Sequence, residues 1–208
     1  MLIRPHDAAM DDREWQEFLR EHDFGQIIAS GRDRPTPVIV PAHFVFDGER
    51  TVSLHLARPN PIWDALDENP LAVLAVIGAY TYIPTQWNAA EGQPPDHGIP
   101  TSYYAAIQAT GACEIVDDPV ELAAILERQL AHFQPEGGHA PVEPAFPPYG
   151  PSLRAIRGLR LTISEVRAKF KFGGNKPATH RQLIAEKLAR RARGLDLEAR
   201  EHLLRRTR

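Results

Sequence analysis

TVSLHLARPNPIW, residues 51–63, joins two structural periods in one short stretch. Along TVSLHLA the apolar residues alternate, so Val52, Leu54 and Leu56 face one way while Ser53, His55 and Ala57 face the other, as in a strand with one buried face. The alternation ends at Arg58. Asn60 followed by Pro61 then has the residue types of a helix start, because asparagine accepts a free backbone N–H and proline has none to lose. The segment predicts a strand, a cationic turn and a short helix through Leu66. A guanidinium beside first-turn amides favours an anion, and its parallel N–H groups suit a phosphate. The competing reading pairs Arg58 with Asp64 or Asp67 at the surface and makes His55 a hydrogen-bonded interior histidine.

Working outward, Asp11 and Glu14 predict a capped first helix with Trp15, Phe18 and Leu19 on one face. Phe24–Ser30 predicts a strand. PVIVPAHFVF (37–46), the turn DGER and TVSLHLA predict a hairpin whose first arm, carrying Pro41, is an edge or bulge. LAVLAVIGAYTYI (71–83) predicts a buried strand or strand pair, and a proline-rich loop over 84–100 leads to a long strand over 103–116. Residues 118–133 have helical spacing, 134–151 read as an irregular loop, and LRLTISEV (159–166) returns to alternation. Thr179 and Gln182 predict a capping box on a last helix. Many strands on short turns with inserted helices predict a mainly β, α+β fold, its antiparallel sheet closed into a small barrel.

The chain has 208 residues, 43% hydrophobic and 25% charged, which places it with ordinary globular proteins rather than disordered or fibrous ones. One domain is expected over 1–178, followed by a basic helical extension over 179–208. Residues 181–208 carry nine Lys or Arg against four Asp or Glu, and the remainder carries 15 against 23. Through Arg181, Lys187, Arg190, Arg191 and Arg193 the extension could touch DNA phosphates, and the competing reading, the commoner use of such a run, is a solvated face. No helix-turn-helix is recognisable. Cys113 is the single cysteine, so no intramolecular disulfide forms and a cytoplasmic location is expected. No apolar run reaches the ~20 residues of a membrane helix. The nine histidines form no HxH or HExxH pattern, so no metal site is expected, and GxSxG is absent.

HLARPNPIW resembles the HxARxNPxW segment of the PaiB family, FMN-binding proteins usually described as negative transcriptional regulators. GAYTYIPTQW (78–87), IPTSYYAAIQATG (99–111) and KFKFGGNK (169–176) resemble three further blocks of that family, in the same order and at similar spacing. The chain departs from the family at Pro84, Thr85 and Gln86, at Ser102 and Tyr103, and at Gln108.

The resemblance implies the antiparallel split β-barrel of pyridoxamine-phosphate oxidase-like flavoproteins, a homodimer, and FMN as cofactor near the subunit interface. Carried over to this chain, it implies Arg58 at the phosphate, with His55, Ala57 and Asn60 at the same end. It also implies Trp63 at the cofactor edge or as a packing anchor, hydroxyls from Tyr82 and Thr101, and a late segment supplying Lys171 and Asn175. A flavin brings its own redox chemistry, so a flavin-dependent oxidoreductase using a nicotinamide donor is the alternative to a regulator. A haem-binding split barrel is the third reading.

Overall fold

The structure, a computed structural model, describes residues 1–205. The elements in chain order are α1 (Asp12–Glu21), β1 (Phe24–Ala29), β2 (Val38–His43), β3 (Val45–Phe46), β4 (Thr51–Ala57), α2 (Ile62–Glu68), β5 (Leu71–Ile83), α3 (Thr85–Asn88), β6 (Thr101–Val116), α4 (Pro119–Phe133), α5 (Tyr149–Leu153), β7 (Ile156–Lys171), α6 (Ala178–Arg191) and α7 (Asp196–Arg205). Seven strands make one sheet in the order β2-β1-β5-β6-β7-β4-β3, with antiparallel registers, so the molecule is mainly β with peripheral helices. The chain divides into two compact units, through both of which β5, β6 and β7 run.

Unit 2 comprises residues 16–76 and 108–166. Its β4 buries Val52, Leu54 and Leu56 as the alternation predicts, but on the other face only Ala57 is exposed, while His55 is half-buried and Ser53 is buried. The predicted hairpin is corrected. Only Val45 and Phe46 pair with β4, whereas Val38–His43 pair with β1, with Val40 opposite Ile27. The reason is Phe44, which is fully buried and donates its N–H to Asp23 O, so the chain leaves one pairing there and enters another. Pro41 does sit on the edge strand, where a missing donor costs no ladder bond. Helix α4 starts on Asp118, whose carboxylate accepts from Val120 and Glu121 N–H, and it packs Leu122 and Ala123 with Val142 and Leu153. Gly158 lets β7 approach this helix, since a Cβ there would lie 2.7 Å from Ile125 Cδ1.

Unit 1 comprises residues 1–15, 77–107 and 167 onward. Asp11 Oδ1 accepts the N–H of Glu14, and Glu14 in turn accepts that of Met10, so the first helix is capped as the sequence predicts. On β5 the alternation slips by one residue at the buried pair Gly78–Ala79, which leaves Ile77, Tyr80 and Tyr82 all exposed. The last helices are tied down by Asp196, only 2% exposed, whose carboxylate accepts from Thr81 Oγ1 at 2.6 Å, Arg191 Nε at 2.8 Å and Arg193 N at 2.9 Å. Burial alone would raise this carboxyl, yet the Arg191 and Thr81 hydrogen bonds bring it down to about 2. The capping box predicted at Thr179 and Gln182 does not form: α6 begins after Pro177 without a side-chain cap. The expected extension's last three residues, including Arg206 and Arg208, lie outside the described residues.

Candidate functional site

Arg58 ends β4 with its guanidinium engaged on three sides. Nε donates to Arg154 O at 3.1 Å, Nη2 to Ile156 O at 3.1 Å and Nη1 to Asp117 Oδ1 at 3.0 Å. Asp117, neither Asp64 nor Asp67, is thus its ion-pair partner, and Asp117 also accepts three hydrogen bonds from Arg157, two of them sharing Nε. That double engagement, the Arg157 bond first, holds the Asp117 carboxyl below its ordinary value. The free amides expected beside Arg58 are consumed locally. Asn60 N–H donates to Ala57 O, Trp63 N–H to Asn60 O, and Ile62 N–H to Asn60 Oδ1 at 3.1 Å. Asn60 therefore caps the helix start as predicted, and in doing so uses the donors that would have met a phosphate.

Around Arg58, Ala57 is exposed and Trp63 is 3% exposed, with its indole N–H on Ala57 O at 2.9 Å and the Arg157 guanidinium 5.2 Å from its ring centre. Trp63 anchors α2 against the end of β4. His55 Nδ1 lies 2.5 Å from Gln129 Oε1, on the face of β4 opposite the core residues, and its ring meets that of His43 edge-on. Gln129 Nε2 is buried without a partner.

Thr101, Lys171 and Asn175, by contrast, come together in unit 1, where they line a cavity of about 530 Å³. Its other charged residues are Arg4, Asp7, Lys169 and Lys176, with the imidazole of His6 beside them. Lys171 Nζ donates to Thr101 Oγ1 at 2.9 Å and Lys169 Nζ to Leu2 O at 2.9 Å, and both ammoniums lie within 6 Å of the Tyr104 ring centre, at 5.9 and 5.4 Å. Among the described residues no carboxylate pairs with either lysine. Two lysines spaced by one residue on β7 share a face, so the strand delivers both charges to the same side.

The turn that follows Lys171 also lines the cavity, through Gly173, Asn175 and Lys176. Gly173 has φ +67°, and a Cβ on it would sit 2.5 Å from Tyr103 Oη; one on Gly174 would sit 2.2 Å from His6 O. Neither glycine belongs to a phosphate-binding fingerprint; both are required by close approach. Burial, with Arg181 opposing and Asp7 adding, pushes the Tyr103 phenol up to about 12, so it remains a proton donor throughout the neutral range. Sequence reasoning missed Arg4, His6 and Lys169. The alternate spacing of Lys169 and Lys171 was a usable signal for one of them, while residues 1–7 reach the cavity only through tertiary contacts such as the Ala8–Lys169 bridge.

Tyr82 points outward from β5, half exposed, and its carbonyl accepts from Arg191. Of the basic residues of the last helices, Arg190 and Arg193 are exposed, whereas Arg191 is committed to Asp196, Thr81 and the Trp87 ring, and Arg181 donates to Lys176 O. Burial pushes the Cys113 thiol up to about 12, which leaves it unreactive. No described helix is long and apolar enough to cross a membrane.

A family model described as "Putative FMN-binding domain" matches residues 1–165. The chain is 22% identical over 191 residues to the protease synthase and sporulation protein PAI 2 of Bacillus subtilis, covering 90% of this chain and 89% of that one. Among solved structures it resembles the conserved hypothetical protein Rv2991 of Mycobacterium tuberculosis, at a TM-score of 0.59 and 15% identity, covering 85% of this chain and 94% of that one. It also resembles the FAD and heme binding protein of Mycobacterium smegmatis, at a TM-score of 0.57 and 16% identity, over 80% of this chain and 74% of that one. These likenesses show the antiparallel split-barrel fold.

Proposed function

The chain belongs to the putative FMN-binding domain family, and from that premise we propose that it is a cytoplasmic, homodimeric, PaiB-like regulator that holds FMN in the lysine-lined cavity of unit 1. The observation that carries this reading is the donor set of that cavity: the ammoniums of Lys169, Lys171 and Lys176 and the guanidinium of Arg4 stand against a single carboxylate, Asp7. Uncompensated cations in a concavity favour a dianionic phosphate, and the volume lies within the range of small-molecule sites, roughly 300–1,000 Å³. Lys171 and Thr101 would hold the phosphate together with Lys169, and Asn175 and the Tyr103 hydroxyl would hydrogen-bond the flavin. When bound, FMN supplies one- and two-electron redox chemistry. The protein's part is to bind it, orient it and set the charge around it.

Arg58, placed at the phosphate by family resemblance, is given a different role in this proposal. It fastens β4 to the strand and loop around Asp117, since its charge is already shared with a carboxylate and two carbonyls. Ala57, Asn60 and Trp63 belong to the turn at Arg58, whereas His55 is held by Gln129 on α4. A homodimer is supported by the apolar residues left on the open side of unit 2: Phe24, Ile39 and Leu71 are 61%, 51% and 50% exposed. Regulation through DNA would use Arg190 and Arg193, because Arg191 is occupied internally.

The test begins with the purified protein. A yellow sample that releases FMN, identified by absorbance and mass, supports the proposal; a colourless sample that takes up no FMN refutes it. Salt-sensitive DNA retention that falls at least tenfold in Arg190→Glu/Arg193→Glu supports regulation. Reduction by NADPH without DNA retention would replace it with an oxidoreductase.

A further inference from the structure

A second cavity of unit 1, about 760 Å³, lies between the turn after Trp87 and the start of α6. Its chemistry differs from that of the lysine cavity. Trp87, Ala89, Ala90, Pro177 and Leu183 give it an apolar body, and Leu183 remains 55% exposed on the first turns of α6. Positive charge is confined to Lys176 and Lys187, with His180 as a further polar group and Glu91 as the one carboxylate in the lining. Lys187 Nζ lies 6.0 Å from the Trp87 ring centre, which puts an ammonium beside the aromatic surface.

His180 reports the local field. Burial, then the charges of Lys176 and Lys187, lower its pKa, so both ammoniums act on the same point. Its Nε2 is 3.3 Å from Asn88 Oδ1, which orients the imidazole at the cavity edge. A mostly apolar site with a few convergent polar groups is the usual make-up of a small-molecule pocket. A phosphate would leave most of this lining unused, and a neutral hydrocarbon would leave the lysines without an anion.

We propose that this cavity binds an organic carboxylate carried on an apolar body, its carboxylate at Lys187 and Lys176 and its body against Trp87 and Leu183. The two cavities share only Lys176 in their linings, so apart from that one ammonium the proposal rests on residues the FMN reading does not use. The ligand would be an effector or substrate distinct from the cofactor.

Trp15 and Trp63 are each 3% exposed, so quenching of tryptophan emission by an added ligand reports Trp87. The probes are 2-naphthoate, its neutral amide 2-naphthamide, and decanoate, titrated into the purified 208-residue chain by fluorescence and calorimetry. Saturable binding of either carboxylate, at least tenfold tighter than the amide and weakened at least tenfold by Leu183→Asp and by Lys187→Gln, is the expected result. The tighter of the two carboxylates identifies the body as aromatic or aliphatic. Equal affinities for acid and amide, no saturation by either carboxylate, or binding indifferent to both substitutions would overturn the proposal. Flavin content measured on the same samples separates the two readings, since neither Leu183 nor Lys187 lines the lysine cavity.

Discussion

Arg58 and Lys171 are both cations at the ends of strands, and they differ in what their charges already face. The Arg58 guanidinium meets Asp117, Arg154 O and Ile156 O, and the amides beside it close on the turn. Lys171 meets one hydroxyl, next to a second lysine and above a concavity. A cation whose Coulomb field is spent within the protein organises structure. One that is left uncompensated costs folding free energy, and an incoming anion recovers it.

The largest effect that would break this contrast is expected from Lys169→Ala/Lys171→Ala. Each charge-assisted hydrogen bond contributes about 1.5–3 kcal/mol, so the double variant should purify without flavin and fail to take up FMN at micromolar concentration in a fluorescence titration. Gly174→Ala follows. Its Cβ would overlap His6 O, 2.2 Å away, and overpacking of this kind costs about 1–3 kcal/mol. Calorimetry should show Tm lowered by about 2–4 °C per kcal/mol, together with lowered FMN occupancy. Arg58→Ala should cost only about 0–1 kcal/mol, as for an exposed ion pair, and leave FMN affinity within about threefold.

The smallest effect concerns pH and sharpens the contrast from the acid side. The Asp196 carboxyl is depressed in the folded state, to about 2. Its contribution to stability is therefore complete above the ordinary aspartate range and is lost as pH falls from about 4 toward 2. Hydrogen exchange in α6 and α7 should rise over that interval, and Asp196→Asn should show the raised exchange already at pH 7. Unchanged exchange in that variant would mean that packing such as the Phe172–His202 stack, at 4.6 Å, holds the helices without the clip.

Much of the scaffold was legible because it follows hydrophobic period. β5 matches LAVLAVIGAYTYI residue for residue, and α4, expected over 118–133 from its apolar spacing, runs Pro119–Phe133. The hairpin was misread because PVIVPAHFVF is a nearly continuous apolar run with no break at residue 44, whereas partner choice depends on a single buried Phe44 and on strands distant in sequence. The site was half legible. The anionic preference of a fixed cation could be read from HLARPNPIW, but not that Asp117, 59 residues away, would meet it. Thr101, Lys171 and Asn175 were identified through family blocks, while the N-terminal side of their cavity left no local signal because tertiary contacts bring it there.

The most direct measurement is the ratio of FMN to riboflavin affinity in Lys171→Ala and in Arg58→Ala, which isolates the phosphate because the two ligands differ only there. The ratio should collapse toward one in the lysine variant and persist in the arginine variant. A ratio that collapses in Arg58→Ala and persists in Lys171→Ala would contradict the assignment and return the phosphate to the end of β4.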